Sequence, residues 1–157
     1  RVKSMALIHQ SLYQDSDLTA IHVPYYVEKL SVALQRSYSG SGKSPDISLS
    51  VDDFQMDVDQ IIPLGLILNE LFTNAFKYAF DQREPGIITL DIAEVEESIQ
   101  IHFSDNGKGL PDGFDVKKSS TLGFKLIYAL TNKLKAALNI DSNHKGTSIQ
   151  IDIPQKS

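Results

Sequence analysis

The chain is predicted to fold as an α+β protein: a two-layer sandwich in which helices cover one face of a mixed or antiparallel sheet, preceded by a helical hairpin. Two observations predict this class. Segments with helical spacing of apolar residues are followed by pairs of segments with alternating apolar residues, in the order helical hairpin and then β-β-α-β-β-α-β-β. Because amphipathic helices and half-apolar strands must each bury one face, one sheet with helices packed on it satisfies both.

Length and composition restrict the class further. The 157 residues suit one domain with an appendage, and the absence of cysteine excludes disulfides and thiolate metal sites, as is typical of a reducing compartment such as the cytoplasm. The net charge of −5 comes from interspersed charges, without the basic patch that nucleic-acid binding needs. The longest apolar run, Ile61 to Leu68, is too short to span a bilayer, so we expect no membrane contact from this segment.

Residues 1–40 are predicted to form part of a helical hairpin. Helical spacing runs from Val2 to Leu12, and a turn and an extended segment separate it from a second helix that begins near Pro24. The linker 39–45 ends that helix. The apolar stripe of this hairpin can be buried in two ways: against its own domain, or against a second copy that completes a four-helix bundle. The homodimer is the preferred hypothesis.

Residues 41–157 alternate strand and helix patterns. The predicted strands are Ile47–Val51, Phe54–Val58 as its possible partner, Ile87–Val95, Ser98–Ser104, Leu138–Ser142 and Thr147–Ile153. The predicted helices are Ile61–Phe80, for which Asp59 is a suitable N-cap, and Leu122–Leu138. The loop from Asn106 to Thr121 is long for a compact domain, and loops of this length are often lids.

The helix from Ile61 to Phe80 carries the most informative pattern. At about 100° per residue, four polar side chains of this helix share one narrow arc, and apolar residues fill the rest of its surface. The four polar residues are Glu70, Thr73, Asn74 and Lys77. A helix this apolar is mostly buried, and an unpaired buried polar group costs about 1–3 kcal/mol. The stripe should therefore face a cavity, where a carboxylate, an amide and an ammonium suit phosphates and a metal ion. The alternative, a polar stripe that meets solvent, is open at this point.

Three shorter motifs carry weaker signals. Asp105-x-Gly107-x-Gly109 follows a strand, where a carboxylate can accept a hydrogen bond from an exocyclic amine and glycines allow close backbone approach, although the same residues form ordinary turns. Residues 119–123, Ser-Ser-Thr-Leu-Gly, open a helix and offer an anion site or a plain N-cap. Thr147 begins the last strand, and its hydroxyl would reach the same ligand if that strand lies beside Asp105.

In combination and in this order, the motifs resemble the ATP-binding catalytic domain of sensor histidine kinases, in the superfamily shared with type II topoisomerases and large heat-shock chaperones. The stretch PLGLILNELFTNAFKYAF is similar to the N box of one kinase branch, and Arg1-Val2-Lys3-Ser4-Met5 is similar to that branch's hairpin pattern. The resemblance covers nearly the whole chain. It implies a Bergerat-type ATP-binding fold, with a partial dimerisation hairpin in residues 1–40 and the catalytic domain in residues 41–157.

The resemblance implies an ATP-dependent protein-histidine kinase that uses ATP and Mg²⁺. It would transfer the γ-phosphoryl group to a histidine, expected just before Arg1, for relay to the receiver domain of a response regulator. His9 lies at a position that the family does not use, and His22, His102 and His144 fit structural roles. Two alternatives are a nucleotide-binding regulatory module without transfer activity and an anti-sigma-type serine kinase, against which the hairpin argues.

Site roles follow from the resemblance residue by residue. Asn74 would ligate Mg²⁺, Glu70 would orient water or the metal shell and polarise the reaction, and Lys77 would contact phosphate. The other implied nucleotide contacts are Tyr78 at the nucleotide edge, Asp105 at the adenine amine, Gly107 and Gly109 around the pocket, Gly123 and Lys125 at the phosphates, and Thr147 near the base. The sequence departs from the family pattern at Phe124, where a smaller aliphatic residue is common, and in a glycine-rich second box reduced to one glycine.

Overall fold

The strands and helices follow the predicted order in the computed structural model, which describes residues 20–38, 45–80, 86–109 and 122–155. The strands are β1 (Ala20–His22), β2 (Asp46–Val51), β3 (Gln55–Asp57), β4 (Ile87–Val95), β5 (Ser98–Asp105), β6 (Ala137–Asn143) and β7 (Gly146–Pro154). The helices are α1 (Val23–Tyr38), α2 (Val58–Asn74) and α3 (Leu122–Lys133), and a π-helical turn (Ala75–Ala79) continues α2. None of the helices described is long and apolar enough to cross a membrane.

The main sheet is mixed, which confirms the predicted fold class. Its strand order is β2-β4-β5-β7-β6, with β2 parallel to β4 and the other pairs antiparallel. The alternating apolar residues of β5 and β7 point to the helices and are at most 4% exposed; they are Ile99, Ile101, Phe103, Ile149, Ile151 and Ile153. In the register of this sheet Asp105 lies opposite Thr147, so the last strand does lie beside Asp105.

The segment before α2 departs from prediction in two ways. Phe54–Val58 does not pair with β2: its central residues form β3, which pairs with β1 in a separate two-stranded sheet. The reason is that the chain beyond β2 continues along β4, where Asp52 N donates to Ile92 O, while Phe54 O accepts a bond from Val23 N. The predicted N-cap is also wrong, because α2 begins at Val58 and Asp59 lies in its first turn, where a carboxylate still favours the helix dipole.

Helix α1 is covered by its own domain. Val27, Leu30 and Leu34 on its apolar stripe have no exposed surface, and Tyr38 at its end stacks on Phe76 with ring centroids 5.4 Å apart. Of the two ways to bury this stripe that the sequence leaves open, the structure shows the first for these residues of α1, and the homodimer stays a prediction. The predicted first helix of the hairpin lies outside the described residues, as does most of the predicted lid.

Helix α3 ends earlier than its spacing predicts. It stops at Lys133, and the strand that was predicted to start at Leu138 starts at Ala137. Lys135 adopts a left-handed conformation with φ of 57°, Ala136 N donates to Thr131 O, and Lys135 N donates to Asn132 O. These two bonds form a Schellman motif. The sequence does not indicate this end of α3, because Lys135 occupies the left-handed position at which glycine is usual.

Candidate functional site

A small cavity of about 80 Å³ lies between the end of α2, the end of β5, the start of β7 and the start of α3. Its apolar walls come from all of these elements; they are Leu71, Ala75, Ala79, Phe103, Phe124 and Ile149. The other lining residues are Asn74, Asp105, Gly109 and Thr147, each of which is a predicted site residue. An apolar slot with a few polar groups at defined points is typical of a small-molecule site.

The carboxylate of Asp105 is held at one end of this cavity. Its Oδ1 atom accepts a hydrogen bond from Gly107 N at 2.9 Å and one from Thr147 N at 3.3 Å. Burial raises the pKa of the Asp105 carboxyl above its ordinary value, and these two backbone bonds act in the opposite direction. Both bonds use Oδ1, so the carboxylate is oriented by the backbone while Oδ2 remains for a ligand.

The glycines of the loop after β5 are required by close backbone contacts. A Cβ on Gly107 would lie 2.1 Å from Ala79 O, at the end of the π-helical turn. Gly109 has φ of +82°, and a Cβ there would lie 2.1 Å from Asn143 O in the β6–β7 turn. The loop is therefore wedged between the end of helix α2 and the β6–β7 turn, which sets the position of Asp105.

The polar stripe of α2 meets the start of α3. Glu70 is 2% exposed, and Asn74 lines the cavity. A Cβ on Gly123 would lie 2.9 Å from Glu70 Oε2 and 3.4 Å from Asn74 Nδ2. The absence of a side chain at Gly123 therefore leaves room directly beside the carboxylate and the amide. Asn74 Nδ2 is buried without a hydrogen-bond partner among the described residues. This donor is therefore available to a ligand that carries an acceptor.

The two lysines predicted to contact phosphate are not brought into the cavity wall. The side chains of Lys77 and Lys125 are exposed and do not line the cavity, and the side chain of Tyr78 lies outside the described part of the chain. The π-helical turn explains Lys77, because its wider turn carries residues after Asn74 off the arc that regular helical spacing assigns to them. The phosphate roles of the two lysines remain predictions.

Sequence reasoning missed the apolar walls and one hydroxyl. Phe103 lies two residues before Asp105, and Ile149 lies two residues after Thr147, so each shares a strand face with its neighbour. Because side chains two residues apart on a strand point the same way, the sequence could have indicated both as cavity walls. Phe124 was noted only as a departure from the family pattern, yet it is 8% exposed and lines the cavity. Ser142 Oγ lies 3.0 Å from Thr147 Oγ1, a contact that depends on the register of β6 and β7.

The described histidines have partners or positions away from this cavity. His102 Nε2 lies 2.6 Å from Ser148 Oγ on the outer face of the sheet, and His22 Nε2 lies 2.7 Å from Asp53 Oδ1 at the surface. His144 occupies the β6–β7 turn. These placements are consistent with structural roles, which stay a prediction, and His9 lies outside the described residues.

Two family models match the chain. One, described as histidine kinase-, DNA gyrase B- and HSP90-like ATPase, matches residues 59–157, and the other, described as histidine kinase, matches residues 1–38. The chain is 27% identical to blue-light-activated histidine kinase 2 of Erythrobacter litoralis, covering 92% of this chain and 44% of that protein. It is 26% identical to sensor histidine kinase PdtaS of Mycobacterium tuberculosis, covering 98% and 31%. The chain thus spans less than half the length of these relatives.

Solved structures show the same fold. The Erythrobacter litoralis EL346 blue-light activated histidine kinase superposes with a TM-score of 0.85 at 27% identity, covering 96% of this chain and 47% of that one. The histidine kinase domain of the same protein gives a TM-score of 0.85 at 24% identity, covering 98% and 74%, which supports the fold alone. Because the first family model covers more than half of the chain, the chain belongs to the histidine kinase-, DNA gyrase B- and HSP90-like ATPases.

Proposed function

We propose that the chain binds Mg–ATP in this cavity and transfers the γ-phosphoryl group to a histidine of the longer protein, for relay to the receiver domain of a response regulator. The observation that carries the proposal is that Asp105 and Asn74 line one small slot, with Gly123 beside Asn74. The slot thus offers a carboxylate and an amide, and the start of α3 next to the amide has no side chain at Gly123.

The part of the slot at Asp105 suits adenine. The apolar walls accept the faces of a flat base, and the Asp105 carboxylate accepts a hydrogen bond from its exocyclic amine. The backbone bonds from Gly107 and Thr147 keep that carboxylate oriented before a ligand arrives. This pre-orientation reduces the entropy cost of binding.

The part of the slot at Asn74 suits phosphates and a divalent cation. Within the described ranges, no group of three or more His, Cys, Asp or Glu side chains could hold a metal ion. Mg²⁺ does not need one, because it keeps several waters and takes few protein oxygens together with substrate phosphates. Asn74 would supply its amide oxygen, and Glu70 would orient the surrounding water. When bound, the cation would neutralise charge on the phosphates, which is most of what phosphoryl transfer requires.

The partners of the reaction extend the proposal beyond this domain. The acceptor histidine, expected before Arg1, would be presented by the dimerisation hairpin of residues 1–40, and the reaction would take place in the cytoplasm. The match of residues 1–38 to a histidine kinase model supports this hairpin.

Transfer is tested on the full-length protein with ATP radiolabelled at the γ-phosphate. The proposal predicts protein-bound label that is stable in alkali and labile in acid, as phosphohistidine is. Asn74→Ala should remove the label, whereas Ser148→Ala, on the opposite face of the sheet, should keep it. Nucleotide binding without transfer would instead support the regulatory-module alternative.

A further inference from the structure

We propose that Ser142 is a positioning residue that turns the hydroxyl of Thr147 towards the nucleotide base and so contributes to the choice of adenine. The inference rests on the proposed function, because it concerns the same cavity. It adds a specificity role for a side chain on β6, which lies outside the motifs from which the site was predicted.

The contact between the two hydroxyls is set by the sheet. Ser142 on β6 is the register partner of Thr147 on β7, and their side-chain oxygens lie 3.0 Å apart. Thr147 is 8% exposed and lines the cavity. Its backbone N–H donates to Asp105 Oδ1, so Thr147 lies directly beside the Asp105 carboxylate in the wall of the same cavity.

The direction of this hydrogen bond decides what Thr147 offers to the cavity. A threonine hydroxyl has one proton to donate and two lone pairs to accept with. If Thr147 donates to Ser142, only lone pairs remain for a ligand. If Ser142 donates to Thr147, the proton of Thr147 is released for the cavity, and the chain of two hydroxyl bonds strengthens each member.

The arrangement in which Ser142 donates to Thr147 is the one that suits adenine. Its pairing edge presents the exocyclic amine as a donor beside N1 as an acceptor, whereas guanine presents an acceptor beside a donor. The ionised Asp105 carboxylate is an acceptor only and matches the amine. A donating Thr147 hydroxyl then matches N1, directly or through one water. Ser142 would hold Thr147 in this donating state.

Ser142 also lies against the loop that follows Asp105. A Cβ on Gly109 would lie 3.0 Å from Ser142 Oγ, so the hydroxyl lies against the backbone of this loop. A packing role alone would therefore be the rival explanation for any loss of binding in a Ser142 variant. Packing and polarity are separable, because packing affects every ligand of the cavity whereas polarity affects only ligands with an acceptor at N1.

The test compares ADP with its 1-deaza analogue, in which a C–H group replaces N1, by calorimetry on the whole chain. We expect the wild type to prefer ADP by about tenfold, the value of one hydrogen bond. Ser142→Ala should reduce the preference to about threefold or less, mainly by weakening ADP binding. Ser142→Thr, which keeps the hydroxyl, should restore it, and Ser148→Ala, which removes a hydroxyl from the other face of β7, should change neither affinity.

Three outcomes would overturn the inference: a wild type without preference for ADP over the analogue, a Ser142→Ala variant with the wild-type preference, or an equal loss of both affinities. Melting temperatures of the variants show whether each is folded. If Ser142→Ala does not fold, Ser142→Cys, which keeps the size of the side chain with a much weaker donor, gives the same decision: its preference for ADP should fall below that of the wild type, and an unchanged preference would overturn the inference. Failure of the proposed function is distinguishable, because the wild type would then bind neither nucleotide.

Discussion

Replacing Asp105 with asparagine tests the adenine contact with little change of shape. The asparagine Oδ1 can still accept the bonds from Gly107 N and Thr147 N, but an NH₂ group replaces the oxygen that faces the ligand. The exocyclic amine of adenine then meets a donor instead of a charged acceptor. The loss of one hydrogen bond to a charged group is worth about 1.5–3 kcal/mol. ADP should therefore bind about one to two orders of magnitude more weakly.

The same residue gives the binding a pH dependence whose sign is defined. Burial raises the pKa of Asp105 above 3.8, so the folded chain holds this proton more tightly than the unfolded chain. Its contribution to stability therefore falls as pH rises from 3.8 to the raised pKa and is constant above it. ADP binding needs the carboxylate, so affinity should fall as pH is lowered through the raised pKa. Asp105→Asn should remove this component of the pH profile without lowering the melting temperature at neutral pH.

Calorimetric titration with ADP is the assay, and Asp141→Asn is the matched control, since Asp141 is an exposed residue of β6. The control should bind ADP as the wild type does. The reasoning is refuted if Asp105→Asn binds ADP within about twofold of the wild type, because a charged hydrogen bond cannot be lost at so small a cost.

Three further predictions concern the metal, the loop and α1. Asn74→Ala should make ATP affinity equal with Mg²⁺ and with chelator; a surviving preference for Mg²⁺ would assign the metal elsewhere. Gly109→Ala places a Cβ against Asn143 O at positive φ and should lower the free energy of unfolding by at least about 1–2 kcal/mol in denaturant titration, whereas unchanged stability would contradict the wedged loop. The buried hydroxyl of Tyr26 has no hydrogen-bond partner among the described residues, so Tyr26→Phe should leave the free energy of unfolding unchanged or raise it by up to about 1 kcal/mol; a clear decrease would reveal a partner.

Much of the fold could be predicted because its signals are local. The period of two in β4, β5 and β7 is read directly from the sequence, and the structure has these strands within one residue of the predicted bounds. The site motifs could be predicted for a similar reason. Asp105, Gly107 and Gly109 are close in sequence, and so are Glu70 and Asn74, so that only the approach of the two groups depends on tertiary structure.

The features that could not be predicted depend on strand pairing, on packing between distant segments or on an irregular helical turn. β3 pairs with β1 across more than thirty residues, a choice that no local pattern encodes. The π-helical turn after Asn74 leaves Lys77 exposed although regular spacing places it on the cavity arc. The burial of α1 depends on which surface its stripe meets, and Ser142 contacts Thr147 only once the register of β6 and β7 is set.

Calorimetric titration of the chain with ATP, in Mg²⁺ and in chelator, tests the central claim most directly. The account predicts saturable binding of one ATP per chain that is tighter with Mg²⁺, because Asp105 and Asn74 line the same slot. A titration without binding in either condition would contradict it, and the slot between α2, α3 and the sheet would then be a packing defect of the fold instead of a nucleotide site.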